Sequence, residues 1–173
     1  MIPLNTNDPN GNPWRPGGAQ EMALHALGAN AIAWPANEPP QTDVEVNLSG
    51  YAAALAAAEA TLATAAAQAQ YATLLAGGLA ITSTGTPALD GTYATDQQSE
   101  FNVVALQAAI TVNAANFPGY YRLKNGARVT MTAAQFTAIA AALLTFVEAA
   151  DEAVATAAQG GTPTWPAATA TVA

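Results

Sequence analysis

Prolines crowd the two ends of this chain and are sparse in its middle, which limits where a helix or a central strand can run. Pro9, Pro13, Pro16, Pro35, Pro39 and Pro40 stand before residue 48, and Pro163 and Pro166 lie near the other end. Proline removes a backbone donor and restricts the residue before it, so regular structure is disfavoured around each one. Residues 1–47 therefore read as an extended arm rich in Pro, Asn and Gly. Only 19–33, with Met22, Leu24, Leu27 and Ile32, has a helix-compatible pattern there. Residues 160–173 read as an extended tail, which leaves 48–159 as the folding domain.

Within that domain, caps and breakers predict three helices. Ser49 is a suitable N-cap and Gly77-Gly78 a stop, so the first helix spans about 49–76. Leu48, Tyr51, Leu55, Ala58, Leu62, Ala65, Ala69 and Ala72 recur along one seam. Small residues on a seam permit close approach, which suits a self-associating or partner-docking helix with Leu55 and Leu62 as its large contacts. An amphipathic helix packed inside its own domain has the same spacing. Leu79-Ala80-Ile81-Thr82-Ser83-Thr84 alternates, Asp90-Gly91 is a turn signal, and Thr92-Tyr93-Ala94 can pair back.

Thr95 and Gln98 have capping-box spacing for a second helix, with Phe101, Val104, Ala108 and Val112 along its apolar side. Pro118-Gly119 cannot continue it. Asn125-Gly126 lies between two alternating runs and predicts a hairpin with a type I′ turn, both turn residues at positive φ. Thr132 and Gln135 form a second capping box. The third helix then buries Phe136, Ile139, Leu143, Val147, Ala150 and Val154 and stops at Gly160-Gly161. The expected fold is α+β, mainly helical: three helices with a short β segment and an Asn-Gly β-hairpin, flanked by extended N- and C-terminal arms.

Composition narrows the function. Roughly a quarter of the chain is alanine, far above ordinary usage, and alanine gains little at about 25 cal/mol per Å2 buried. Aromatics are 7%, so the core is thin and association with neighbours is a natural remedy. High helix propensity explains the alanine equally well. Only Arg15, Arg122, Lys124 and Arg128 are basic against 12 acidic residues, giving a net charge of −8. Phosphate recognition needs clustered cations, so neither nucleic acid nor an anionic membrane is an expected partner. Charged residues total 9%, where about a quarter is usual, and a surface of Thr, Asn, Gln, Ser and Ala suits a subunit packed in an assembly.

Chemistry finds little to work with. His25 is the single histidine, four residues after Glu21, with no cysteine anywhere in the chain to partner it. Asp90, Asp96 and Glu100 have oxygen donors for a hard cation, but turn and helix-start roles account for each. Gly17-Gly18, Gly77-Gly78 and Gly160-Gly161 lack the lysine and the strand–helix context of a phosphate loop. No catalytic residue, metal site or cofactor is expected. The start, Met1-Ile2-Pro3-Leu4-Asn5, has no basic or apolar leader pattern, so no signal peptide is expected. The stretch 51–75 is mostly alanine, broken by Glu59, Gln68 and Gln70, and does not read as membrane-spanning. Binding has better support. Trp14-Arg15-Pro16, Trp34-Pro35 and Trp165-Pro166 set every tryptophan beside a proline in the arms, and Trp and Arg are favoured interface anchors. Arms folded back on their own domain are the alternative.

Two stretches carry a family resemblance. Gly78-Leu79-Ala80-Ile81 with Leu89-Asp90-Gly91-Thr92-Tyr93-Ala94-Thr95-Asp96 is one. Tyr121-Arg122-Leu123-Lys124-Asn125-Gly126 through Val129-Thr130-Met131-Thr132-Ala133-Ala134-Gln135-Phe136 is the other. Over about 50–155 the chain resembles an uncharacterised domain family of tailed-bacteriophage and prophage tail-fibre and baseplate-associated proteins. The resemblance implies a virion tail component or a fibre-assembly factor, assembled in the host cytoplasm, with other tail proteins as partners and self-association. The family brings no catalytic residues. Many members have a histidine in the last helix; here that region reads Leu144-Thr145-Phe146-Val147-Glu148, so any role of that histidine is absent. The alanine-rich first helix and the long arms are not hallmarks of the family.

Overall fold

The structure is a computed structural model that describes Met22 and residues 51–173. In chain order the elements are α1 (Tyr51–Gly77), β1 (Leu79–Ser83), a 3-10 turn (Pro87–Leu89), β2 (Gly91–Tyr93), α2 (Gln97–Val112), a second 3-10 turn (Ala114–Asn116), β3 (Tyr120–Arg122), β4 (Arg128–Thr130), α3 (Ala133–Ala158) and β5 (Thr169–Val172). The class is α+β and mainly helical, with three helices and two small sheets among residues 51–173. The chain divides into two compact units, Met1–Ala65 and Ala66–Ala173. Ser49 and Leu48, expected at the start of the first helix, lie outside the described residues.

In the first unit the described residues are the opening turns of α1. Alanine propensity favours the helix there, and the hydroxyls of Thr61 and Thr64 donate back to the carbonyls of Ala57 and Ala60 at 2.9 and 2.8 Å. In the second unit the inward side of α1 differs from the expected seam. Ala69 and Ala72 are exposed, whereas Ala67 is buried and Tyr71, Leu74 and Leu75 are half-buried. The larger side chains take the inward positions because they remove more apolar surface from water. Burial pushes Tyr71 up to about 12, and the carboxylates of Asp151 and Glu100 add to the shift.

The C-terminal end of α1 is held by contacts within the second unit. The last carbonyls of a helix have no intrahelical donor. Here Gly78 N donates to Leu74 and Leu75 O, the Thr95 hydroxyl to Leu75 O at 3.0 Å, and Lys124 Nζ to Ala76 and Gly77 O. A lysine from the hairpin thus supplies the cation that favours a helix C-terminus. Gly78 adopts φ +78°, and a Cβ there would lie 2.4 Å from Tyr93 O.

The first sheet has the order β2-β1-β5. β1 pairs antiparallel with β2, Leu79 opposite Tyr93, and parallel with β5, Ile81 opposite Ala170. The 160–173 segment, expected as a tail beyond the domain, is extended but lies in this second unit, because β1 has a second edge whose backbone groups need partners. Asp90-Gly91 is not itself the turn. The connection is the 3-10 turn, Asp90 Oδ1 accepts from Ser83 N at 2.7 Å, and Gly91 opens β2 where a Cβ would meet Leu123 at 2.7 Å.

The second sheet is the hairpin, with Tyr121 opposite Val129. Its turn differs from the expected type I′: among the described residues only glycines have positive φ, Gly126 at +85°. Gly126 N donates to Leu123 O and Leu123 N to Ala127 O. This is a three-residue loop, a type I turn closed by a left-handed glycine. Asn125 instead accepts from Ala127 N through its side chain at 3.0 Å.

α3 runs through the core. Its capping box is present, Gln135 N donating to Thr132 Oγ1 and Thr132 N to Gln135 Oε1. Phe136, Ile139, Leu143, Val147 and Ala150 are buried as expected, joined by Ala140, Phe146, Ala153 and Ala157, while Val154 is half-buried. Among the described residues α3 is the helix long and apolar enough to cross a membrane. In this fold that apolar stripe packs with Leu79, Ile81, Leu89, Tyr93, Val103, Val129, Met131 and Val172.

Candidate interaction surface

The candidate surface begins with how α2 starts. Its cap is Asp96, one residue later than the expected Thr95. Asp96 accepts from Ser99 N at 3.0 Å, and those hydrogen bonds hold its carboxyl below the usual range. Thr95 is instead 2% exposed and spends its hydroxyl on α1. Gln98 bonds Asn102 rather than closing a box. An ionised aspartate is the better cap, both as an acceptor and as an anion at the helix N-terminus.

The tertiary fold decides which side of α2 faces inward. Val103 is buried and Leu106 and Ile110 are half-buried against the core. The stripe expected along one apolar side of the helix faces out: Phe101 is 68% exposed, Val104 48% and Val112 84%, with Ala105 and Ala108 exposed between them. At 100° per residue these five positions fall within about 100° of arc, a continuous apolar ridge. Scattered exposed leucines are ordinary, whereas a contiguous exposed apolar patch marks a contact surface. From 101 to 121 the sequence has no Asp, Glu, Lys or Arg, so the ridge contains no charge.

Beside the ridge runs a groove of about 690 Å3, walled by α2 on one side and by 118–124 on the other. Asp96, Ser99 and Asn102 contribute from α2, with Ala105 and Ala109 further along, and Tyr120, Tyr121 and Arg122 face them from β3. Its aromatic wall is anchored in the core. Tyr121 lies 5.0 Å from Phe136 and 6.3 Å from Tyr93, centroid to centroid, and burial raises its pKa, with Asp96 adding. The Arg128 guanidinium sits 4.5 Å over the Tyr120 ring. Most of the polar groups already have partners: Asp96 is a cap and Arg122 donates to Gly126 O at 3.0 Å. What is left open is shape and apolar surface, which suits packing against another protein. Among the described residues no cluster of three or more His, Asp or Glu is placed to hold a metal.

Of the residues singled out from sequence, Trp14, Arg15 and Trp34 lie outside the described residues. Leu55 is half-buried and Leu62 is 38% exposed, both on α1 in the first unit. Trp165 is half-buried in the second unit, on the segment leading to β5. The residues that form the candidate surface are other ones, chiefly Phe101, Val104 and Val112. Their spacing was legible as one apolar side of a helix, but nothing local signalled that Val103, Leu106 and Ile110 would be the buried side. No family model, curated protein or solved structure matches the chain.

Proposed function

We propose that this chain is a structural component of a bacteriophage tail, a baseplate or tail-fibre attachment protein that acts by packing against other tail proteins rather than by catalysis. The observation that carries the packing reading is the outward apolar ridge of α2, an uncharged surface on a chain of net charge −8. Leaving about two-thirds of a phenylalanine and most of a valine in water forgoes on the order of 1–2 kcal/mol for each, which a partner surface recovers. The low charged content and the tryptophan–proline pairs of the arms support the same reading. The assignment to a tail rests on the resemblance of 78–96 and 121–136 described above. Quantitative mass spectrometry of purified particles tests it: the chain is expected at a fixed copy number per particle. Finding it in lysate but never in particles would replace the structural role by that of a tail-fibre assembly chaperone.

A further inference from the structure

We propose that Asn125 is a self-modification site gated by the hairpin that contains it. Shielded while the loop is formed, it cyclises with Gly126 when the tip opens, and the isoaspartyl product cannot rebuild the loop. The inference is independent of the packing role proposed above.

Residue type is the first reason. The side-chain carbonyl of an asparagine can be attacked by the backbone nitrogen of the next residue, and a side chain on that residue hinders the approach. The asparagines of the second unit are Asn102, Asn113, Asn116 and Asn125, followed by Val, Ala, Phe and Gly. Glycine has no Cβ to stand in the way, so Asn125 is the reactive one. Both Asn125 and Gly126 are exposed to water.

The loop closes that route. Ring formation needs the Gly126 nitrogen to give up its proton and approach Asn125 Cγ. In the hairpin that N–H is donated to Leu123 O at 2.8 Å, and the Asn125 side chain is fixed by accepting from Ala127 N at 3.0 Å. The loop has to open before the ring can form. Its tip is weakly held. The two strands are three residues each, a marginal length for a two-stranded sheet. The register pair next to the loop sets Arg122 opposite Arg128, and like charges directly opposite destabilise a pair. What ties the tip down is Lys124, with Nζ on Ala76 and Gly77 O and its backbone N on Thr92 O.

The chemistry balances with water as the co-reactant. Gly126 N bonds to Asn125 Cγ, the Cγ–Nδ2 bond breaks, and Nδ2 leaves as ammonia with the proton that Gly126 N gives up. Water then opens the imide at either carbonyl. Attack at Cγ leaves an ordinary aspartyl chain. Attack at the main-chain carbonyl leaves an isoaspartyl link, in which the chain runs through Cβ and Cγ and is one atom longer. That atom moves Gly126 N off Leu123 O, and the former side-chain acceptor of Ala127 N becomes part of the main chain. The tip then loses both bonds that shaped it, and opening becomes one-way.

Peptide-resolved mass spectrometry of the full-length chain in mildly alkaline buffer tests the gate. In urea, Asn125 is expected to deamidate as fast as Asn10, the chain's other asparagine before a glycine. Without urea the reaction at Asn125 is expected to slow by about tenfold or more, because it follows the open population of the hairpin. Lys124→Ala, with helical circular dichroism retained, is expected to speed the native reaction several-fold and leave the rate in urea unchanged. Equal wild-type rates with and without urea overturn the gate, as does a native rate that Lys124→Ala leaves unmoved. The one-way step is read separately, on an Asn10→Gln background in which Asn125 is the fast site. Chains deamidated in urea and returned to buffer are expected to melt lower in proportion to their isoaspartyl content, measured by methyltransferase labelling. Asn125→Asp, whose carboxylate still accepts from Ala127 N, is expected to melt close to wild type. An isoaspartyl chain with the midpoint of Asn125→Asp overturns that step.

Discussion

Gly78 and Asp96 show how much of this domain is settled by single backbone contacts. Gly78 turns the chain out of α1 with positive φ where a Cβ would collide with Tyr93 O, so alternatives to glycine face both strain and overlap. Asp96 holds the first turn of α2. Replacing a capping aspartate by alanine costs about 1 kcal/mol, so Asp96→Ala is expected to lose that much in urea denaturation at neutral pH. The carboxyl titrates lower in the folded chain than in the unfolded one. Its contribution is therefore complete above the unfolded value near 3.9 and fades as pH falls through the lower folded value. Wild type and variant are expected to converge in acid, and a gap that stays constant down to about pH 2 would contradict the cap. The sequence placed a cap within one residue of the right position. It could not rank Thr95 against Asp96, because the pull on Thr95 comes from Leu75 O, twenty residues away.

For the elements, legibility followed the range of the forces involved. The α3 capping box and its face, the β1–β2 pairing and the hairpin position all rest on neighbours in sequence, and all are present. The hairpin loop type was misjudged because Asn125 satisfies Ala127 N with its side chain and leaves positive φ to Gly126 alone. The inward side of α2 was not legible because the helix is apolar on two sides, and only the tertiary fold chooses between Val103 and Phe101. The β5 strand had no signal of its own; Thr169–Val172 becomes a strand by supplying partners for β1. Deleting 168–173 removes the bonds from Ala80 N to Ala168 O and Thr84 N to Val172 O and takes the buried Val172 out of the core. At about 1 kcal/mol per hydrogen bond and about 2 for the valine, the loss is expected to be about 4 kcal/mol in urea denaturation. A truncated chain with an unchanged midpoint would show that β5 is dispensable.

For the whole molecule, a chain with few ionisable and few bulky side chains buries Tyr93, Phe136 and Phe146 in one core with α3 and leaves an uncharged apolar ridge outside it. Under the packing role proposed for it, that arrangement separates stability from assembly: residues of the ridge are spare to the fold and serve contact. The most direct measurement is the copy number, in purified particles, of a full-length chain with Phe101→Asp and Val112→Asp, alongside its circular dichroism and thermal midpoint. A folded, soluble chain with a near wild-type midpoint that is missing from particles is the predicted result. The same variant incorporated at the wild-type copy number would contradict the role assigned to the ridge.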